Sequence, residues 1–295
     1  MLTFSQTITV RSDDPRSAGE FLAKITRLSK RRVKDAMLKG AVWHQKRGAR
    51  KRRIRRATAV LKPGDILSIY YNEKLLALDP EPAEIISDRR HYSIWFKPSG
   101  LLTQGTKYGD HCSLLRQVRH YFQSRRKVFA VHRLDREAAG LTMVAHSRQA
   151  AARLSFLFRN QNVIKRYRIR VLGNLSEYGS GGQIDRELDG KPALTSFNVQ
   201  GYDPLANTTT VNVVLHTGRK HQIRRHFNQI GYPVIGDPRY GKGNKNTDGM
   251  KLVAYALDFE CPYEKKRVVF KLPGSKDYLK DERPFVSSFT KNVFE

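Results

Sequence analysis

The sequence predicts an α+β fold in two unequal parts: a large domain on a mixed, largely antiparallel sheet, and a small N-terminal α/β unit. Three observations carry this. Strand-like runs from residue 92 to 259 are not separated by regular crossover helices, which argues against a doubly wound sheet. The first 75 residues read as two short amphipathic helices followed by strands. Between these parts, "NEKLLALDPEPAEIISDRRH" carries Pro80 and Pro82 and breaks both periodicities. The expected division is 1–75, a linker over 76–90, a main domain over 91–275 and a polar tail over 276–295.

Each element has a local cause. Phe21, Leu22, Ile25 and Leu28 share one helix face, and Val33, Met37 and Leu38 another. Ser29 is placed to cap the second helix and Gly40 to end it. "QKRGARKRRIRR" follows, with eight basic residues between Lys46 and Arg56, and reads as a basic arm. "ATAVLKPGDILSIYY" reads as strand, turn and strand. In the main domain, strands are expected at 92–96, 128–132, 141–145, 164–172, 209–216 and 252–259. Helices are expected at 148–160, after a capping Ser147, and at 219–230.

Charge narrows the partners. Of 295 residues, 55 are Lys or Arg and 27 are Asp or Glu, a formal net charge of +28. Such an excess draws a protein to polyanions, with nucleic acid first and anionic membrane second. No stretch approaches the ~20 apolar residues of a membrane span. "MLTFSQTITV" lacks the basic start and apolar core of a signal peptide. Cys112 and Cys261 alone form no disulfide framework and no four-cysteine zinc site, so a cytoplasmic protein is expected.

Three constellations hold the chemistry-bearing residues. His132, Arg133, Leu134 and Asp135 lie where a strand runs into a loop. Nearby cations favour the charged form of a carboxylate. From charge spacing alone, a structural salt bridge and a working carboxylate both remain open for Asp135. The second, "HTGRKHQIRRHFNQIGYPVIGDPRYG", begins as a helix. Its "GDPRYGKG" has a phosphate loop's glycine and lysine spacing, but Gly243 replaces the magnesium-holding hydroxyl, so it reads as a turn. His221 and His226 are five apart with no glutamate between them, a poor zinc pattern, and no metal is expected. The third is Lys165-Arg166-Tyr167-Arg168, a tyrosine among cations, suited to stacking on a base beside phosphates or to filling a core edge.

The order of these segments resembles the RluA family of pseudouridine synthases over roughly residues 85–275. The matching residues are His132 to Leu141 (H-R-L-D-x-x-x-x-G-L), Lys165 and Tyr167 (Lys-x-Tyr), "KPSGLL" at 97–102, and "GRKHQIRRHFNQIGYPVIGDPRYG". The N-terminal "GEFLAKITRLSKRRVKDAMLKGAV" and "LKPGDILSIYY" are similar to the RNA-binding module first known in a small-subunit ribosomal protein, type S-four.

The resemblance implies an enzyme that flips a uridine out of RNA, breaks its N1–ribose bond and rejoins the base through carbon 5, without a cofactor. It implies catalytic roles for Asp135 as nucleophilic carboxylate, Arg224 as its ion-pair partner, and Tyr167 as the ring against the flipped base. Substrate contacts are expected from His132, Arg133, Leu134, Ile223 and Arg219. Arg50, Lys51, Arg52 and Arg53 of the basic arm are expected to track the RNA backbone. Two departures stand out. Ala138-Ala139 replaces the usual Thr-Ser, removing two hydroxyls from the loop after Asp135. Thr103-Gln104-Gly105 replaces Val-His-Pro after "KPSGLL". The expected target is ribosomal RNA, with the protein acting as a monomer. Transfer RNA, or a non-catalytic role in ribosome assembly, are the alternatives; a DNA-binding regulator fits the charge but lacks a recognition helix.

Overall fold

The computed structural model describes residues 2–241, 244, 249–276 and 279. Chain contacts divide it into two compact units, Met1–Pro80 with Gln104–Tyr121, and Glu81–Thr103 with Phe122–Glu295. The fold is α+β.

The first unit runs β1 (Thr3–Thr9), α1 (Ala18–Thr26), α2 (Lys30–Leu38), β2 (Val42–Gln45), β3 (Arg52–Arg53), β4 (Ile66–Asn72) and α3 (Glu73–Leu76), and gains α4 (Leu114–Tyr121). Its sheet has the order β1-β4-β2-β3, antiparallel throughout. Ser29 caps α2 by accepting the Arg32 N–H, and Gly40, at φ +82°, turns the chain after it. Phe21, Leu22, Val33 and Met37 pack on Val42, Leu67 and Ile69, so both helices cover one face of the sheet.

Three expectations change here. "ATAVL" is not a strand: it forms turns and a single bridge, Ser17 to Val60, because the antiparallel partner of β4 is the N-terminal β1. The basic arm is a hairpin, β2–β3, closed by a turn at Lys46–Ala49. Residues 76–90 are not a bare linker: Leu76 ends α3, and Glu84–Asp88 is a strand whose backbone is paired despite the flanking prolines.

The second unit holds β5 (Glu84–Asp88), β6 (Tyr92–Lys97), β7 (Phe129–Ala130), β8 (Ala139–Ala145), α5 (Arg148–Arg159), β9 (Val163–Leu172), β10 (Gly181–Asp185), β11 (Leu194–Asp203), β12 (Thr208–Leu215), α6 (Gln222–Gln229), β13 (Leu252–Cys261) and β14 (Lys266–Lys271). Its sheet order is β10-β11-β12-β9-β13-β8-β6-β5, with β14 on β13 and β7 on β8. Among the described residues, only β8 and β13 pair in parallel. Strands β5, β10, β11 and β14 are not among the expected strands. The tail expected from 276, except Lys276 and Leu279, lies outside the described residues, as do Lys242 and Gly243.

The parallel pairing imposes one sequence requirement. A Cβ on Gly140, at φ +123°, would lie 2.3 Å from the Ala254 carbonyl oxygen and 2.5 Å from its nitrogen. Backbone cannot yield there, and the dihedral itself disfavours any side chain. Gly140→Ala is therefore expected to destabilise by at least about 3 kcal/mol, read as a lower denaturant midpoint.

Candidate active site

The chain from β7 to β8 forms a loop with Asp135 near its middle, and the segment after β6 clasps it. The Thr103 hydroxyl donates to the Leu134 carbonyl at 3.0 Å and accepts the Leu134 N–H at 3.1 Å. The Ser99 hydroxyl donates to Glu137 O, and Gly100 N–H to Arg136 O. The fully buried Lys97 ammonium donates to Pro98, Leu101 and Arg136 carbonyls. Burial pulls the Lys97 pKa down to about 7, against the pull of Glu137 and Asp135. Ala138 and Ala139 are buried in place of hydroxyls, and the clasp holds the loop through Leu134, Arg136 and Glu137.

Helix α6 brings the cation. The Arg224 side chain is only 3% exposed, and its Nη1 donates to Asp135 Oδ2 at 2.8 Å. Its Nε and Nη2 donate to Asp237 at 2.6 and 2.8 Å, a two-point grip on a fully buried carboxylate. Burial opposes the guanidinium charge, but the bonds to Asp237 and Asp135 outweigh it and raise the Arg224 pKa. Burial likewise works against Asp237, yet Arg224 and two backbone N–H groups hold its pKa below the ordinary value. The Asp237 carboxylate also accepts the N–H groups of Arg239 and Tyr240. Pro233 and Ile235 bond along β9, which fixes where this turn begins.

Around the pair lies a cleft lined in part by Arg133, Leu134, Asp135, Tyr167, Ile223 and Arg224. Ala138, Leu215 and Leu252 complete its apolar wall, while Arg219, His221 and Gln222 stand at its polar side. Tyr167 comes from β9, between Val213 and Ala254. Burial, then the Asp135 charge, pushes its phenol up, so it is neutral at physiological pH.

Most predicted residues of this unit converge here, but His132 does not line the cleft. Its Nε2 accepts the Met143 N–H and its ring stacks on Phe158 at 4.3 Å. Burial pulls its pKa down to about 3, so it is a neutral packing group. The cations around Tyr167 also turn elsewhere. Arg166 pairs with buried Asp258, and Arg168 bonds Asn212. Lys165 is buried, which lowers its pKa to about 8. In the first unit, Arg50, Arg52 and Arg53 line a basic pocket with His44 and Lys46. Arg53 is committed to the Gly40 and Thr106 carbonyls, so it braces the hairpin rather than reaching out.

Sequence reasoning gave Asp237, His221 and Thr103 no role beside Asp135. His221 Nε2 lies 3.7 Å from Asp135 Oδ1, and its Nδ1 bonds the Tyr240 hydroxyl at 3.1 Å. The available signal was the "GDPRYG" turn, whose aspartate and tyrosine hold Arg224 and His221 beside Asp135.

A family model described as RNA pseudouridylate synthase matches residues 91–229. The dual-specificity RNA pseudouridine synthase RluA of Vibrio vulnificus is 29% identical over 70% of this chain and 88% of its own. A ribosomal large subunit pseudouridine synthase D of Zymomonas mobilis is 27% identical over 75% of each chain. The solved structure of human RNA pseudouridylate synthase domain containing 1 superposes with a TM-score of 0.59 at 22% identity, over 72% of this chain and 94% of that one, and shares the fold.

Proposed function

The chain belongs to the RluA family of RNA pseudouridine synthases, and from that premise we propose that it acts on ribosomal RNA through Asp135. The enzyme is an RNA uridine isomerase. In the net reaction the N1–C1′ bond breaks and a C5–C1′ bond forms. The proton at carbon 5 leaves to solvent and N1 gains one, so no oxidant or phosphate donor is consumed.

The observation that carries the proposal is Asp135 held at 2.8 Å by a buried arginine that is itself fixed by Asp237, in a cleft with one apolar wall. A flipped uracil needs flat apolar walls, here Ile223 and Leu252, and an aromatic ring, here Tyr167. The neutral phenol is suited to relaying the carbon 5 proton. Arg133, exposed at the rim, is suited to the space a flipped base leaves. Leu134 and Arg219 line the same opening.

Ribosomal RNA is favoured by the likeness to a large-subunit synthase and by the added N-terminal unit, proposed as an S-four-type RNA-binding module with a basic hairpin. The likeness to a dual-specificity enzyme makes transfer RNA the second reading. The enzyme is proposed to work as a monomer in the cytoplasm, with RNA supplying the remaining contacts. No helix among the described residues is long and apolar enough to cross a membrane.

The test is tritium release from RNA labelled at carbon 5 of uridine, with protein alone. Release from ribosomal but not transfer RNA is expected; release only from transfer RNA overturns the target, and release from neither overturns the reading. The clasp gives a second expectation. Thr103→Val leaves two buried backbone groups of Leu134 unpaired, beside the catalytic loop. Turnover should fall by about tenfold to a hundredfold with little change in RNA affinity, and Thr103→Ser should restore it. A fall in affinity at unchanged turnover would place Thr103 outside loop positioning.

A further inference from the structure

We infer that the face of the first unit's sheet opposite its helices is a stacking platform for single-stranded RNA, built from the partly exposed Trp43, Tyr70 and Tyr108. Alternation places Trp43, Ser68 and Tyr70 on the face opposite the helices, because Val42, Leu67, Ile69 and Tyr71 point into the helix-covered core. The cross-strand row Thr7, Ser68, Trp43 and Arg53 crosses all four strands of this face.

The loop between Gln104 and Asp110 extends it. Arg53 donates to the Thr106 carbonyl, and the Trp43 indole N–H donates to the Lys107 carbonyl at 3.0 Å. Asp110 fixes the loop's end, accepting both bonds from Arg55 Nη2 while its own N–H donates to Lys39 O. So anchored, Tyr108 meets Tyr70 edge-on at 6.0 Å between ring centroids. Neither ring is buried, nor is Trp43.

Cations stand between the rings. Lys107 Nζ lies 5.1 Å from the centroids of both Tyr70 and Tyr108, and Lys51 Nζ lies 5.2 Å from that of Tyr70. Arg53 covers the Trp43 ring at 4.3 Å. Three half-exposed aromatic rings on one face, interleaved with cations, is the chemistry that holds successive bases by stacking and their phosphates by charge. Four-stranded sheets with surface aromatics bind single strands in this way. A duplex keeps its bases paired and offers such rings nothing to stack on, so the partner is an unpaired segment.

The inference rests on the chain being an RNA enzyme but needs no isomerisation, and its test uses RNA without uridine. The probe is an unstructured oligocytidylate, which cannot be a substrate. Trp43 is the reporter, since the second tryptophan, Trp95, is buried. The full-length protein is expected to show quenched tryptophan emission on adding oligocytidylate, and Trp43→Phe to lose that response. Tyr70→Ala and Tyr108→Ala are each expected to weaken binding about tenfold, and Tyr70→Phe to keep it. Tyr108 lies in a loop outside the helix-packed core, so its variant stands even if Tyr70→Ala fails to fold. Equal competition by duplex RNA of matched charge would overturn the platform. So would unchanged affinity on loss of the rings while Lys51→Ala and Lys107→Ala weaken binding.

Discussion

Asp135→Asn is expected to abolish tritium release, by at least about 10⁴-fold in turnover, while RNA still binds. The substitution keeps shape and an oxygen facing Arg224 but removes the negative charge and the nucleophilic oxygen. It also leaves the rest of the site intact, for a reason visible in the geometry. Arg224 bonds Asp135 through Nη1 alone, whereas Nε and Nη2 remain on Asp237. No buried charge is left without a partner, so the thermal midpoint should shift little. Residual turnover near the wild-type rate would remove Asp135 from the chemistry. Loss of RNA binding in parallel with activity would instead make it a structural carboxylate, the bland alternative that charge spacing first allowed.

The sequence was most legible where a pattern is local. Periodicity placed α1, α2 and α5, each of which buries one face, and long apolar or alternating runs placed the strands β9, β12 and β13. It missed β1, whose alternation is masked by Thr, Ser and Gln at the sheet edge. Strand β10, with two glycines and mostly exposed residues, has no side-chain signal at all; its backbone pairing to β11 makes it a strand. Asp135 and Arg224 could be joined in advance only by their order in a family pattern. Nothing in spacing brings residues 89 positions apart to one hydrogen bond. The hydroxyls missing at Ala138-Ala139 drew attention to the loop's own residues, whereas its restraint comes from Lys97 at the end of β6 and Thr103 in the segment after it.

Asp237→Ala is expected to be the most damaging substitution that never touches substrate. It strips two of the three bonds from a guanidinium whose side chain is 3% exposed, leaving the half-exposed Asp135 as the main counter-charge. Breaking a buried pair in this way costs about 3–5 kcal/mol. The same change frees the N–H groups of Arg239 and Tyr240, and with them the Tyr240 hydroxyl that orients His221 beside Asp135. Turnover should therefore fall by about 10²–10³-fold, because the partner of the reacting carboxylate is no longer fixed. Asp237→Asn separates the charge from the turn: its oxygen still accepts backbone N–H groups, but it no longer carries a negative charge. The sign of the pH dependence follows from the depressed Asp237 pKa. The carboxylate's contribution is fully present above the ordinary carboxylate pKa and is lost as pH falls through the depressed one. The stability gap between wild type and Asp237→Asn, measured by urea unfolding, should thus be widest near neutrality and narrow in acid. A gap that stays constant into strong acid would mean that Asp237 acts through its hydrogen-bonding shape alone, and that Arg224 is held in place by something other than its charge.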